Sequence, residues 1–438
     1  MSVIPMLGCG RTLDIPPSLE TGKVDPLTEE ALEKSRAILL TNPGKPASWA
    51  NMGMVLFDSG QAIEARKCFE NAIYLDPQNP RYIYLLGWSF LPDEPESALA
   101  HLTNAYQLSI RVDRDNPAPA IRLAETLRAL GKDSEARKIL QDWQTNSGKH
   151  PLADLMLAEI AASLGDDNEA RSILDGIPGV IYLAKRMRYL DLTLGFGDKT
   201  DRDYSILMEE VRRLPQDPDW PDAYLLESKP DCLGFRGSFR LAEALEAKGR
   251  LAEAVQLLKK IWDKTEDARS RVGLVGCYIG MGKWDEAKRY IDIQPQSPHN
   301  PVLWARYFLA FGDQFAGNTN VEQARIQFTN GLEKLEYNFN EVEAVEALGL
   351  KCRLLWRLES WRELSDSSKL YLARKPLHKG AKVFLCLSQF HLNQTRHDCD
   401  LKALFENNNH EAFPETTQIL KFLVKMGLNP YRQSKIQP

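Results

Sequence analysis

The 438-residue chain has no run of lysine or arginine longer than a pair, as in Arg212-Arg213 and Lys259-Lys260. Phosphate backbones are held by clustered cations. With a net charge of −5 and a pI near 5.9, nucleic acid is excluded from the expected partners. No apolar stretch approaches the ~18–20 residues that a membrane-crossing helix needs, so no transmembrane span is expected. The seven cysteines, at 9, 68, 232, 277, 352, 386 and 399, form no Cys-x-x-Cys pair and no haem-attachment signal. Their scatter suits buried helix cysteines rather than a disulfide framework.

Signatures of chemistry are missing as well. There is no Gly-x-Ser-x-Gly elbow and no phosphate loop ending in Gly-Lys-Ser/Thr. The pairs Gly195-Phe-Gly197 and Gly280-Met-Gly282 lack the six-residue fingerprint of a nucleotide site and its preceding strand. Cys386, His391, His397 and Cys399 lie close in sequence, but not at the i, i+4 spacing that gives two ligands one helix face. No metal, cofactor or catalytic residue is therefore expected.

What is present is a repeat. An apolar content of 43% with 26% charged residues is that of a folded protein, and the length exceeds the ~250–300 residues at which one core stops growing. The chain should thus be several domains or a linear array. Trp49-x-x-Met52-Gly53-x-x-Leu56 places apolar and small residues at i, i+3, i+4 and i+7, and Ala65, Phe69 and Ala72 do the same after a turn at Gly60. Gly53 and Ala65 are small where two antiparallel helices must approach closely, while Trp49, Leu56 and Phe69 fill the space between pairs. Pro77 ends the unit. The small residue opening the second helix recurs as Ala31, Ala65, Ala98, Ala136, Ala170, Ala254, Ala287 and Ala324, at spacings of 34, 33, 38, 34, 84, 33 and 37. A glycine stands five residues before several of these alanines, at Gly60, Gly131, Gly165, Gly249 and Gly282.

This pattern resembles the tetratricopeptide repeat, whose period is about 34 residues. The resemblance covers roughly residues 26 to 370. It implies an all-α, right-handed superhelical solenoid of antiparallel helix pairs, in two halves joined by a Pro-rich connection. Residues 1–25 read as a tail or tether, 26–178 as an N-terminal array and 179–231 as degenerate repeats. The last of these would hold helices near 180–194 and 201–213, then a connection over 214–231 with Pro215, Pro218, Pro221 and Pro230. A second array over 232–370 and loosely patterned helices over 371–438 complete the chain.

By the same resemblance the function is a non-catalytic scaffold that binds a protein or peptide in a concave groove lined by first helices. The alternative is a structural or assembly-factor subunit buried in a larger complex. The implied inner-face residues are Ala50, Met54, Phe57 and Asp58 in the first unit, and Arg81, Tyr84, Trp88 and Leu91 in the second. Ile121, Glu125 and Arg128 follow, then Leu155 and Glu159, and after the Pro-rich stretch Arg236, Phe239, Glu243 and Glu246. Ala50 and Met54 stand where some members of the family use Lys and Asn to clamp a C-terminal carboxylate, which argues against that ligand. Met54, Phe57, Arg81, Tyr84, Trp88, Glu125 and Arg128 are the partner-binding candidates. For Tyr84 and Trp88 the alternative is packing under a neighbouring helix or the N-terminal tail.

Met6-Leu7-Gly8-Cys9 resembles a bacterial lipobox, which implies a lipid anchor on Cys9 and a place in the cell envelope, on the periplasmic side. Only Ser2 to Leu7 stand between Met1 and Gly8-Cys9, without a basic residue or the usual ~7–15-residue apolar core. Without lipidation the expected compartment is the cytoplasm.

Overall fold

The computed structural model describes residues 24–178, 183–195, 208, 211–212, 217, 219–227, 233–293, 297, 300–336, 341–375, 378–392 and 415–425. These are helices and short connections, with no strand among the described residues. Cys9, His397, Cys399 and nearly all of the helix expected near 201–213 lie outside them.

The chain divides into two compact units, each discontinuous in sequence. The first contains the described residues up to Ala170 and those of Asp219–Arg271; the second contains those of Arg171–Pro218 and from Val272 onward. Boundaries drawn on repeat pattern alone put residues 232–271 with the second array. In the structure the described residues of 233–271 pack with the first unit, through contacts that no local pattern announces.

The first unit is a run of antiparallel helix pairs. A lone α1 (Pro26–Thr41) precedes α2 (Pro46–Asp58) with α3 (Ala62–Leu75), α4 (Pro80–Phe90) with α5 (Pro95–Val112), and α6 (Ala118–Ala129) with α7 (Asp133–Ser147). It goes on with α8 (Pro151–Ser163) and the opening turn of α9 (Asp167–Gly176). Pro26, Pro46, Pro80, Pro95, Pro119 and Pro151 sit in first turns, where the missing N–H is not needed. Helix α2 stops at a left-handed Gly60 (φ +86°), whose N–H donates to the Phe57 carbonyl at 2.9 Å while Gln61 N–H reaches Leu56 at 2.8 Å. This is the Schellman closure that satisfies final carbonyls. It recurs at Gly131, Gly165, Gly249 and Gly282, and also at Thr319 (φ +62°) and Glu359 (φ +58°), which hold the same turn position without a glycine.

The eight alanines of the repeat are all buried, none more than 2% exposed. Leu364, buried at 0%, takes their place in the pair Glu341–Arg357 and Trp361–Arg374. Close approach at the crossings is equally direct. A Cβ added to Gly53 would stand 2.6 Å from Phe69 Cε1, and one added to Gly312 would stand 2.4 Å from Phe328 Cε1. The two sites share one arithmetic: glycine, alanine twelve residues later, phenylalanine four after that.

Helices Phe235–Ala247 and Leu251–Thr265 return to the start of the first unit. Phe235 N–H donates to Thr28 Oγ1 at 3.0 Å, Lys264 pairs with Glu30 at 3.3 Å, and Arg240 pairs with Asp58 at 3.2 Å.

In the second unit, helices Asn300–Gly317 and Val321–Lys334 form one pair, followed by Glu341–Arg357 with Trp361–Arg374 and by Lys379–His391 with Thr416–Lys425. Buried Glu415 holds the last helix by accepting from Arg353 at 3.0 Å and Arg357 at 3.2 Å. Cys386 is disulfide-bonded, which corrects its reading as a lone buried cysteine and removes its sulfur as a metal ligand. His391 stacks on Trp361 with ring centroids 3.9 Å apart.

Helical glycines make a test of the crossings. Gly53→Ala and Gly312→Ala should each destabilise by roughly 1–3 kcal/mol, because a buried phenylalanine ring must move. Exposed Gly276, with nothing within 4 Å of an added Cβ, should gain roughly 0.5–1 kcal/mol on change to Ala. Chemical denaturation of the three variants reads the sign; three losses or three gains would contradict this packing.

Candidate functional site

First helices α4 and α6 put Arg81, Tyr84 and Trp88 beside Arg122, Glu125 and Arg128 in the first unit. Three- and four-residue spacings keep each set on one helix face. The structure separates these residues by depth. Met54 is 1% and Tyr84 0% exposed, as are Ala50, Ile121 and Leu155 at 0%. Phe57 and Trp88 are half-buried and touch, with ring centroids 4.2 Å apart. Arg240 lies 6.0 Å over the Trp88 ring. Among the apolar and aromatic candidates, Phe57 and Trp88 thus present a shared edge, whereas Met54 and Tyr84 lie beneath the surface.

Tyr84 is buried by the chain itself. Residues 219–227, from the middle of the Pro-rich stretch, lie on this face. Asp222 caps a single helical turn, Ala223–Leu226, its Oδ1 accepting from Tyr224 N–H at 3.1 Å and Leu225 N–H at 3.3 Å. Its Oδ2 accepts the Tyr84 hydroxyl and a 3.4 Å bond from Arg122. Arg81, only 4% exposed, donates through Nε to the Tyr224 carbonyl at 2.9 Å. The Tyr224 ring meets Tyr84 edge-on at 5.3 Å, and Trp220 lies under the Arg122 guanidinium at 5.9 Å and beside His150 at 5.8 Å. A cleft of about 300 Å³ opens next to this seat, lined by Asp76, Asn79, Arg81, Asp113, Tyr224 and Glu227 among others.

Burial governs the electrostatics. It pushes the Tyr84 phenol well above its usual range, and the neighbouring Asp222 carboxylate adds to the shift, so this hydroxyl is a fixed donor. Asp58 is raised by burial in spite of Arg240, and Glu243 by burial and by Asp219. Glu125 pairs with Arg122 at 2.8 Å, and Arg128 pairs with Glu159 and, at 3.6 Å, with Asp133. Arg122 and Glu125 neutralise each other within one first helix, and Arg128 and Glu159 do so between adjacent first helices. Among the described residues no group of three or more His, Cys, Asp or Glu could hold a metal ion, and no helix is long and apolar enough to cross a membrane.

Reading inner-face positions from the repeat missed Arg122, Asp222, Tyr224 and Arg240. One step of register hid Arg122, since fully buried Ile121 holds the position beside it. Asp222 and Tyr224 were hidden by their prolines. The available signal was Trp220, Tyr224, Leu225 and Leu226 crowded into nine residues, too apolar for a solvated linker.

In the second unit a run of rings marks helix Asn300–Gly317. Trp304 and Phe308 stack at 5.3 Å, Phe311 and Phe315 meet at 4.8 Å, and Trp284 joins Phe311 at 4.8 Å. All five of these side chains are half-buried.

A family model for the tetratricopeptide repeat matches residues 92–147 and 245–306, and a second one matches 46–79. The chain carries tetratricopeptide repeats. No curated protein matches the sequence. Among solved structures it is similar to yeast Tom70 (11% identity, 93% of this chain and 94% of that one, TM-score 0.34). It is also similar to YrrB, described as a TPR protein with an unusual peptide-binding site (15% identity, 55% and 96%, TM-score 0.29). A third is a tetratricopeptide repeat protein from Parabacteroides merdae (16% identity, 76% and 98%, TM-score 0.26).

A double-mutant cycle tests the buried seat. Tyr84→Phe and Asp222→Ala should each lower stability, and their effects should couple by about 1–2 kcal/mol, as for contacting partners of a charge-assisted bond. Additivity within ~0.5 kcal/mol would break the link between them.

Proposed function

We propose that this repeat protein is a non-catalytic scaffold whose first unit binds a segment of another protein on the face of its first helices. One observation supports the reading above others: that face already holds nine residues of polypeptide through a side-chain carboxylate, a main-chain carbonyl and aromatic contacts. These are the contacts by which extended or single-turn peptides are recognised. Phe57 and Trp88, half-buried and side by side, supply the aromatic anchor that dominates such interfaces. Glu125 and Arg128, already neutralised within the face, act at its rim.

Peptides selected by display on the intact chain supply the probe. Trp88→Ala should weaken their capture at least tenfold, the order expected when an aromatic anchor worth ~2 kcal/mol is lost, while Glu125→Ala and Arg128→Ala change it less than threefold. Melting temperature serves as the control, since a half-buried ring should be removable without unfolding. Unchanged capture by folded Trp88→Ala would rule out this face.

The half-buried rings of helix Asn300–Gly317 favour a second reading, a subunit covered within a larger assembly. Native complexes purified by size separate the two: a free monomer favours the groove, and obligate co-purification favours the assembly.

For the compartment, we propose lipidation at Cys9 and residence in the cell envelope. The lipobox resemblance supports this, and a disulfide at Cys386 suits an oxidising compartment. Metabolic labelling with a radioactive fatty acid should mark the native protein and fail on Cys9→Ser. An unlabelled native protein would return it to the cytoplasm.

A further inference from the structure

Resting on the recognition reading above, we infer that Trp220-Pro-Asp-Ala-Tyr-Leu225 is an internal stand-in for the partner. The first-helix face of the first unit takes a protein segment in which an acidic residue is followed two positions later by an aromatic and three positions later by an aliphatic residue.

The face sets this chemistry by what it would lack if the segment left. Tyr84, buried and protonated, would lose the carboxylate it donates to, and Arg81 would lose the Tyr224 carbonyl. Arg122, whose side chain is 18% exposed, would lose one of its two carboxylates. Two cations and a phenol on adjacent first helices call for an anion and a main-chain acceptor at a fixed spacing. Asp222 and the carbonyl two residues beyond provide that spacing. The Tyr224 ring fills the edge-on site against Tyr84, and Leu225, 6% exposed, is buried beside it. Asp219, with 77% of its side chain exposed, and Glu227, with 68%, flank the core of the pattern and pair at its edges with Arg240 at 3.8 Å and Arg81 at 3.4 Å.

The segment is held by contacts with the face, because its one helical turn has four residues and no core of its own. Its fit is incomplete at one end. Trp220 Nε1 and His150 Nδ1 are both buried without a hydrogen-bond partner although their rings lie 5.8 Å apart. A partner residue that supplies a hydrogen bond there would gain an interaction the resident segment does not make. Tethering offsets this deficit, since a segment in the same chain acts at an effective concentration of the order of millimolar. An outside segment of the same pattern therefore meets a face that is mostly filled, and its apparent affinity falls to the unfilled fraction of its intrinsic value.

The test uses a fluorescein-labelled peptide of residues 219–227 with blocked ends, titrated by anisotropy against the full chain. Two variants loosen the resident segment. Trp220→Ala should bind the probe at least threefold tighter than the native chain, and Trp220→Ala/Tyr224→Ala at least tenfold tighter. A probe carrying Asp222→Asn should lose tenfold on either variant. If the double variant does not fold by circular dichroism, Trp220→Ala alone decides, because the lost indole makes no hydrogen bond. Equal binding to native chain and folded variants, or no loss with the Asn probe, overturns the inference. Display-selected peptides that need Trp88 but do not displace the probe overturn it too, while leaving the recognition reading intact. Failure of both probe and selected peptides sinks both.

Discussion

Everything in this molecule hangs on how closely two helices of a pair can approach. Where Gly53 faces Phe69, and Gly312 faces Phe328, no room remains for one carbon atom. The eight repeat alanines, all buried, carry the same constraint through both units. Close crossing lets the aromatic ring of one helix cover the backbone of the other, and that contact supplies much of the dispersion and desolvation energy of a pair. It also fixes which side of each first helix faces away from its partner. The face on which Arg81, Tyr84, Trp88 and Arg122 gather is a consequence of where the small residues lie.

A face built in this way inherits a problem. Stacked first helices bring polar side chains into partial burial, and a buried cation or phenol without an acceptor is unfavourable by more than a satisfied one gains. Farther along the stack the chain solves this within the face, by pairing Arg122 with Glu125 and Arg128 with Glu159. At Arg81 and Tyr84 acceptors come from the Asp219–Glu227 segment: the Asp222 carboxylate, the Tyr224 carbonyl and, at 3.4 Å, the Glu227 carboxylate. The same logic explains the return of helix Phe235–Ala247, whose Arg240 answers a buried Asp58 and caps the Trp88 ring.

Local features of the fold were legible because they are local. Helix pairs, the buried alanine register and the five turn glycines each depend on residues within one period, where spacing maps onto geometry. Thr319 and Glu359 escaped notice because the turn tolerates a left-handed residue other than glycine, which composition does not reveal. The site was legible only by half. Trp88 and Phe57 follow from repeat positions, but the burial of Tyr84 is set by residues more than a hundred positions away, and no periodicity encodes that distance. The packing of helices Phe235–Ala247 and Leu251–Thr265 onto the first unit is non-local in the same way, made at Thr28, Glu30 and Asp58 through single contacts.

Proline density is what made the Asp219–Glu227 segment look like a spacer, and the structure shows why that inference is unsafe. Proline restricts a chain to extended and turn conformations, which suits a linker, but the same restriction lowers the entropy lost when a segment is laid on a surface. A spacer and a bound peptide therefore share their proline content. They differ in what stands between the prolines. Charged and small residues keep a linker in water; here Pro221 separates an indole from a carboxylate, and a tyrosine and two leucines follow. Those side chains are of the kind that fill pockets, and three of them, Asp222, Tyr224 and Leu225, are buried. Within a repeat array, a proline-rich insertion that also carries aromatic and acidic residues is better read as a candidate occupant of the array's own face than as a tether.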